Sequence, residues 1–455
     1  MAATPEQLGL ADLSKAGSAD RTEGDVNLSP HREQYWREHS VATQRMLADD
    51  AQWFLHQSLS TPCLNGLARA QGSSLFDLEG REILDFHGNS VHQVGYAHPR
   101  VVEAVKRQLE ELPFCPRRYT NRAAIDLARR LCEAAPVRRP RDAAGEEIAP
   151  RALFAPGGAE AIGIALKLVR YATGRFKTVS MWDAFHGATL DAISVGGEAL
   201  FRAGVGPLLP GCIHVPPYSA HDLGEHSAAY VEYALRKESD VGAVIAEPMR
   251  WTTVTPPPPD YWQSIRASCD AHGALLIIDE IPSCLGRTGR MFCCEHFDVE
   301  ADVIVLGKGL GGGLFPLAAV VARGDLNVAA DRALGHYTHE KSSLGAAAAL
   351  ATLDVLIEED LIARAERLGK EATARLRDAL RDCALHAEVR GLGLQLAVEL
   401  RRDGAPACDE AERILYDCLR RGVSFKVADG NVLCLSPPLT IDESDLWRAL
   451  QIVAE

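Results

Sequence analysis

Between about residues 75 and 330, short and almost uninterrupted apolar runs alternate with segments of helical periodicity. The runs are ALFA at 152–155, KTVSM at 177–181, VGAVIAE at 241–247, ALLIIDE at 274–280 and DVIVLG at 302–307. Helical patterns cover 158–172, 226–238 and 260–272; in the first, Ala161, Ala165, Leu168 and Ala172 recur at the spacing of one helix face. A strand that is apolar at every position must be covered on both sides. The alternation therefore predicts an α/β fold, a mostly parallel sheet between two layers of helices. After Ser342 the pattern changes to long alanine-rich and charged helices. VRGLGLQLAVEL and VLCLSPPLTI then predict strands of a smaller α+β domain. The expected organisation is an N-terminal segment (1–70) belonging to the small domain, a large domain (71–330) and a C-terminal small domain (331–455). Residues 1 to about 30 are polar and expected to be loosely ordered. PVRRPRDAAGEEIAP, from Pro136 to Pro150, has the composition of a surface loop.

In open parallel sheets, ligands bind beyond the carboxyl ends of the strands, so the residues that follow each run carry the functional argument. After ALFA come Pro156, Gly157, Gly158 and Ala159, opening a helix. Backbone N–H groups there can approach an anion, favoured by the helix dipole, although an ordinary strand-to-helix turn has the same look. After KTVSMWDA come Phe185, His186 and Gly187. The Phe185 ring could stack on a flat cofactor or simply fill core. After ALLII come Asp279 and Glu280; a carboxylate at a strand end is costly to bury without a cation or donor beside it. After DVIVL come Gly307, Lys308 and Gly309. Burial lowers a lysine's pKa, and a neutral amine can form a Schiff base. Each signal has an ordinary structural explanation by itself. Together they supply a phosphate cradle, a stacking ring, a counter-ion and a Schiff-base lysine, the groups that pyridoxal 5′-phosphate requires.

Bulk properties narrow the alternatives. The 48 basic and 62 acidic residues give a net charge of −14, which disfavours nucleic acid and anionic membrane as partners. No stretch reaches the ~18 apolar residues of a membrane span, and the start lacks a signal peptide's pattern. A cytoplasmic enzyme is expected. The 12 cysteines are scattered without a C-x-x-C pair and are expected to be free thiols, with no zinc site. His87, His92 and His98 have no metal-ligand spacing. Gly307, Gly309 and Gly312 satisfy G-x-G-x-x-G formally, but FPLAAVVA behind them has the pattern of a strand where a nucleotide fingerprint needs a helix.

GGAEAIGIALKLVR at 157–170, FHGAT at 185–189, AEP at 246–248, LLIIDEIPSCLGRTG at 275–289 and GKGLGGGLFPLAA at 307–319 resemble the class III aminotransferases in order and spacing. The resemblance implies the two-domain aminotransferase fold (fold type I) and a homodimer with active sites at the subunit interface. It matches Lys308 to the Schiff-base lysine that also shuttles the proton, and Asp279 to the partner of the pyridine nitrogen. Gly157, Gly158 and Ala159 match the phosphate turn, and Phe185 and Ile281 the two faces of the ring. His186 stands in the same cofactor-binding stretch, and Glu247 matches the family's E-P glutamate. Thr338 matches a threonine that reaches the neighbouring subunit's cofactor, and Arg390 an arginine that pairs with a substrate carboxylate.

Three departures bear on the reaction. Pro282 replaces a common Gln, Met249-Arg250-Trp251 follows E-P where Q-G is common, and Ser342-Ser343 replaces a common N-P. FLHQSLSTPCLN at 54–65, DFHGNSVHQVGYAHP at 85–99 and LPFCPRRYTN at 112–121 resemble a subgroup of aminophosphonate breakdown that releases ammonia. Arg117 and Arg118 would suit a phosphonate, since guanidinium forks match such oxygens; an exposed basic pair before a helix is their plain alternative. Elimination of ammonia from a small primary amine is expected, with transfer of the amino group to a 2-keto acid as the alternative.

Overall fold

The computed structural model describes residues 29–61, 63–220 and 222–455; nearly all of the stretch expected to be loosely ordered lies outside them. Seven strands form the large sheet, in the spatial order Arg151–Ala155, Ala318–Ala322, Val303–Leu306, Leu275–Asp279, Val241–Ala246, Lys177–Met181 and Cys212–Val215. The last five are mutually parallel. Ala318–Ala322 runs antiparallel to both of its neighbours. Each expected run became a strand, and FPLAAVVA contributes Ala318–Ala322 as its pattern implied. Cys212–Val215 was not foreseen. It is a four-residue edge strand, only partly buried, and too short to show a period.

The two faces of the sheet explain why its strands are apolar throughout. Ala243, Ile245, Leu275, Ile277, Val303 and Val305 pack with Ile162 and Leu166 of the helix Gly158–Thr173. The alternate residues Val244, Leu276, Ile278, Ile304 and Leu306 pack with Trp262 and Ile265 of the helix Tyr261–His272. Residues two apart share a face. Burying one such side chain stabilises the fold by about 1.5–3 kcal/mol.

Beyond residue 342, the helices Ser343–Glu358 and Leu361–Ala379 precede an antiparallel sheet of His386–Leu392, Gln395–Arg402, Val432–Leu435 and Lys426–Ala428. VRGLGLQLAVEL is thus a hairpin. Its turn residue Gly393 has φ +53, and its carbonyl comes so close to Gly369 of the second helix that a Cβ at Gly369 would overlap it. VLCLSPPLTI leaves the sheet at Leu435, before Pro437 and Pro438, which have no N–H to give a ladder. A further sheet joins Leu67–Gln71, Ser74–Asp77 and Glu82–Asp85 to Val423–Ser424, so distant parts of the chain pair directly. The division near residues 70 and 330 remains a proposal. Among the described residues, no helix is long and apolar enough to cross a membrane. All 12 cysteines are free thiols.

A candidate active site at the carboxyl rim of the large sheet

Four turns at the strand ends touch one another. A Cβ placed on Gly158 would lie 2.8 Å from Ile281 Cδ1, and one on Gly307 would lie 3.3 Å from Ile281 Cγ2. Ile281 therefore packs between the glycine turn and the turn that carries Lys308. A Cβ on Gly187 would come 2.6 Å from the Cβ of Ala159, which joins the Phe185–Gly187 segment to the same cluster. Gly157 caps the helix Gly158–Thr173 without a side chain, and the first N–H groups of a helix have no partner within it. Those donors remain for an anion.

Asp279 and Glu280 have different jobs. Glu280 is fully buried; Ser283 Oγ and the Cys294 N–H donate to its two oxygens, at 2.5 and 2.7 Å, and burial raises its pKa. It belongs to the packing of the 280–294 segment. Asp279, 2 % exposed, accepts from the Ile281 N–H at 3.0 Å and pairs with His186 Nδ1 at 2.8 Å. Because a carboxylate can only accept, Nδ1 carries the proton. The other ring nitrogen of His186 is buried without a partner. Lys308 is partly exposed and has φ +47, in a turn whose next residues are buried. Phe185 is partly buried, with its ring 4.6 Å from that of Phe201.

The residues that depart from the family pattern have visible roles. Arg250 Nη1 donates to Glu247 Oε2 at 2.9 Å, and Arg250 Nη2 lies 3.9 Å from Glu198; all three residues are buried. Glu247 is thus neutralised inside the protein. Trp251 Nε1 donates to Ser90 Oγ at 3.3 Å. Pro282 is buried and has no N–H to give. Ser342 caps the helix Ser343–Glu358 by accepting from the Gly345 N–H, and Ser343 Oγ donates to the Leu112 carbonyl at 2.5 Å. The roles of Arg250 and Trp251 were not read from the sequence: Ser90 and Glu198 are remote in the chain, while Glu247, three residues before Arg250, was a local signal that could have suggested the ion pair.

Thr338, Arg117 and Arg118 are exposed, and neither arginine pairs with an acid among the described residues. Their two segments are fastened together. Asn121 Nδ2 donates to the Lys341 carbonyl at 3.0 Å, and the Phe114 and His339 rings meet at 5.2 Å. Arg390 was expected to face substrate. Instead it donates to the carbonyls of Thr253 and Val254 and to Glu399.

Residues 57–455 match the model of the family Aminotransferase class-III. The chain belongs to the class III aminotransferase family. It is an enzyme of this pyridoxal-phosphate-dependent family, and its fold is the aminotransferase fold. It is 45 % identical over 460 aligned residues to (R)-1-hydroxy-2-aminoethylphosphonate ammonia-lyase of Vibrio splendidus (strain 12B01), with 95 % of this chain and 94 % of that protein covered. It is 37 % identical to acetylornithine aminotransferase of Methanopyrus kandleri, over 86 % of this chain and 93 % of that protein. Among solved structures, the ornithine aminotransferase of Toxoplasma gondii, described with partial occupancy of PLP at its active site, superposes with a TM-score of 0.80. The two are 27 % identical, and the match covers 94 % of this chain and 97 % of that one.

Proposed function

We propose that the protein uses pyridoxal 5′-phosphate to release ammonia from (R)-1-hydroxy-2-aminoethylphosphonate, giving phosphonoacetaldehyde. The observation that carries the substrate is the 45 % identity to the ammonia-lyase over nearly the whole chain, against 37 % for the acetylornithine aminotransferase. The residues present fit the cofactor. The uncapped helix start at Gly157, Gly158 and Ala159 offers donors to a phosphate. The buried Asp279, oriented by His186, offers a carboxylate to a protonated ring nitrogen. Phe185 and Ile281 would bound the ring, Glu247 would contribute within its ion pair with Arg250, and Lys308 would hold the cofactor. When bound, it supplies a sink for the electron pair left when a proton leaves the carbon bearing nitrogen.

Lys308 takes that proton. With the substrate amine in its place on the cofactor, the freed Lys308 amine would pass that proton to the departing hydroxyl, so water leaves the adjacent carbon. The released enamine would then tautomerise and take up water to give aldehyde and ammonia. One water leaves and one enters, so no keto acid is consumed. Asp279 keeps the ring nitrogen protonated, and His186 keeps Asp279 in place. The enzyme works as a homodimer in the cytoplasm. Thr338 reaches the partner's site, and Arg117 and Arg118, fastened to the same surface, enter with it and hold the phosphonate. Pro282 favours elimination because it withdraws the side-chain amide found at that position in many transaminases.

The test is an ammonia assay on the purified holoenzyme, with and without pyruvate or 2-oxoglutarate. Ammonia should appear from the hydroxylated substrate without an acceptor and should not appear from 2-aminoethylphosphonate. Turnover that strictly requires a keto acid would make the enzyme an ω-aminotransferase instead.

A further inference from the structure

Arg390 lies in the strand His386–Leu392, and each of its side-chain nitrogens is engaged by the protein. Nε donates to the carbonyls of Thr253 at 3.3 Å and Val254 at 3.1 Å, Nη2 donates to Thr253 O at 2.9 Å, and Nη1 donates to Glu399 Oε2 at 2.7 Å. Glu399 is itself shared with Arg401. Glu388 lies 3.6 Å from Nη1 as a second acid, so the positive charge is paired and mostly buried where a substrate-binding arginine would present it to a ligand.

The carbonyls it gathers belong to an unusual turn. Val254 is fully buried and has φ +51, a backbone region that a β-branched residue rarely enters. The turn is closed at its base by paired backbone bonds between Arg250 and Thr255, at 3.1 and 3.0 Å. Its tip is held from outside by Arg390 and by Cys434 Sγ, which lies 3.1 Å from the Thr252 carbonyl. Trp251, on the same turn, donates to Ser90 Oγ. Ser90 ends three successive left-handed residues, Gly88 (φ +47), Asn89 (φ +45) and Ser90 (φ +58). Asp85 Oδ1 secures the front of that loop by accepting from the His87 and Gly88 N–H groups, at 2.9 and 3.2 Å.

The loop then runs against the Lys308 turn. A Cβ on Gly313 would lie 3.4 Å from the Val91 carbonyl, and one on Gly309 would overlap the Gln93 side chain. Gln93 is fully buried, and neither polar atom of its amide has a partner. Movement of this loop would therefore be felt beside Lys308.

We infer that Arg390 is a positioning residue: it straps the strained turn Trp251–Val254 and, through Trp251 and Ser90, sets the loop Gly88–Gln93 against the Lys308 site. The inference deepens the proposed function, and rests on it only for the choice of amine. It leaves the substrate's anionic end to other residues, and it removes a receptor for the carboxylate of a keto acid.

Hydrogen–deuterium exchange on the apoprotein tests the strap without any substrate. Arg390→Gln should speed exchange over 249–256 and also over 86–93, Arg390→Lys should do so less, and Trp251→Phe should affect 86–93 alone. Unchanged exchange over 86–93 in Arg390→Gln would overturn the inference. In the holoenzyme, Arg390→Gln should raise KM by a similar factor, on the order of tenfold, for the phosphonate and for a neutral amino alcohol. Adding Trp251→Phe should cost little more, because both changes release one element. A KM rise confined to the phosphonate would show that Arg390 holds the anion and would refute the strap. Failure of ammonia release from every amine would sink the proposed function while the exchange data still decide the role of Arg390.

Discussion

Replacing Asp279 by Asn keeps the side chain's size and removes its charge, and its two neighbours limit how the amide can settle. The Ile281 N–H, 3.0 Å away, needs an acceptor, so the amide oxygen stays on that side. The NH₂ group then faces His186 Nδ1 at 2.8 Å, where the carboxylate oxygen had been. Two donors cannot share that bond, so the ring's proton must move to Nε2, which is buried and has no partner. A charge-assisted bond becomes a neutral one and a buried donor is orphaned, a cost to folding of about 1–3 kcal/mol. The effect on turnover is larger. A group acting electrostatically on transition-state charge contributes about 10²–10³-fold, or roughly 3–4 kcal/mol of barrier. Ammonia release measured on Asp279→Asn, alongside its urea midpoint, separates the two effects. A folded protein with kcat down by about 100-fold or more is expected. A folded Asp279→Asn enzyme with near-normal turnover would show that the carboxylate's charge is not used.

Two further predictions concern the lysine and pH. Borohydride treatment of the holoenzyme should fix pyridoxal phosphate to the peptide bearing Lys308, and Lys308→Ala should abolish turnover; label on another lysine would overturn the assignment. His92 is fully buried, and desolvation pushes its pKa down to about 4 from 6.5. The unfolded chain therefore takes up the proton first as pH falls. Stability present above pH 6.5 is lost between about 6.5 and 4, amounting to roughly 3 kcal/mol at 1.36 kcal/mol per unit. Unfolding midpoints of the apoprotein should fall with pH less steeply in His92→Gln than in the wild type, and parallel profiles would refute the reasoning.

Much of the large sheet was legible because both of its faces are covered: a strand such as LLIID, with no exposed position, shows its burial directly in its composition. The site motifs were legible for a related reason. Gly157-Gly158, Phe185-His186 and Lys308 each follow a strand within a few residues, Asp279 is the last residue of one, and a parallel sheet brings all its carboxyl ends to one rim. Which groups meet at that rim was decided only by tertiary structure. Asp279 and Glu280 are neighbours in sequence, yet one faces His186 and the other is consumed by Ser283 and Cys294. Trp251 meets Ser90 across 161 residues, and Arg390 meets the Thr253 carbonyl across 137. No residue type announces such contacts. A backbone carbonyl is the same in every residue, and a remote side chain becomes a partner only once packing has brought it within hydrogen-bond reach. Periodicity records which faces are buried, while the partner of each buried polar group follows from where the packed elements come to rest.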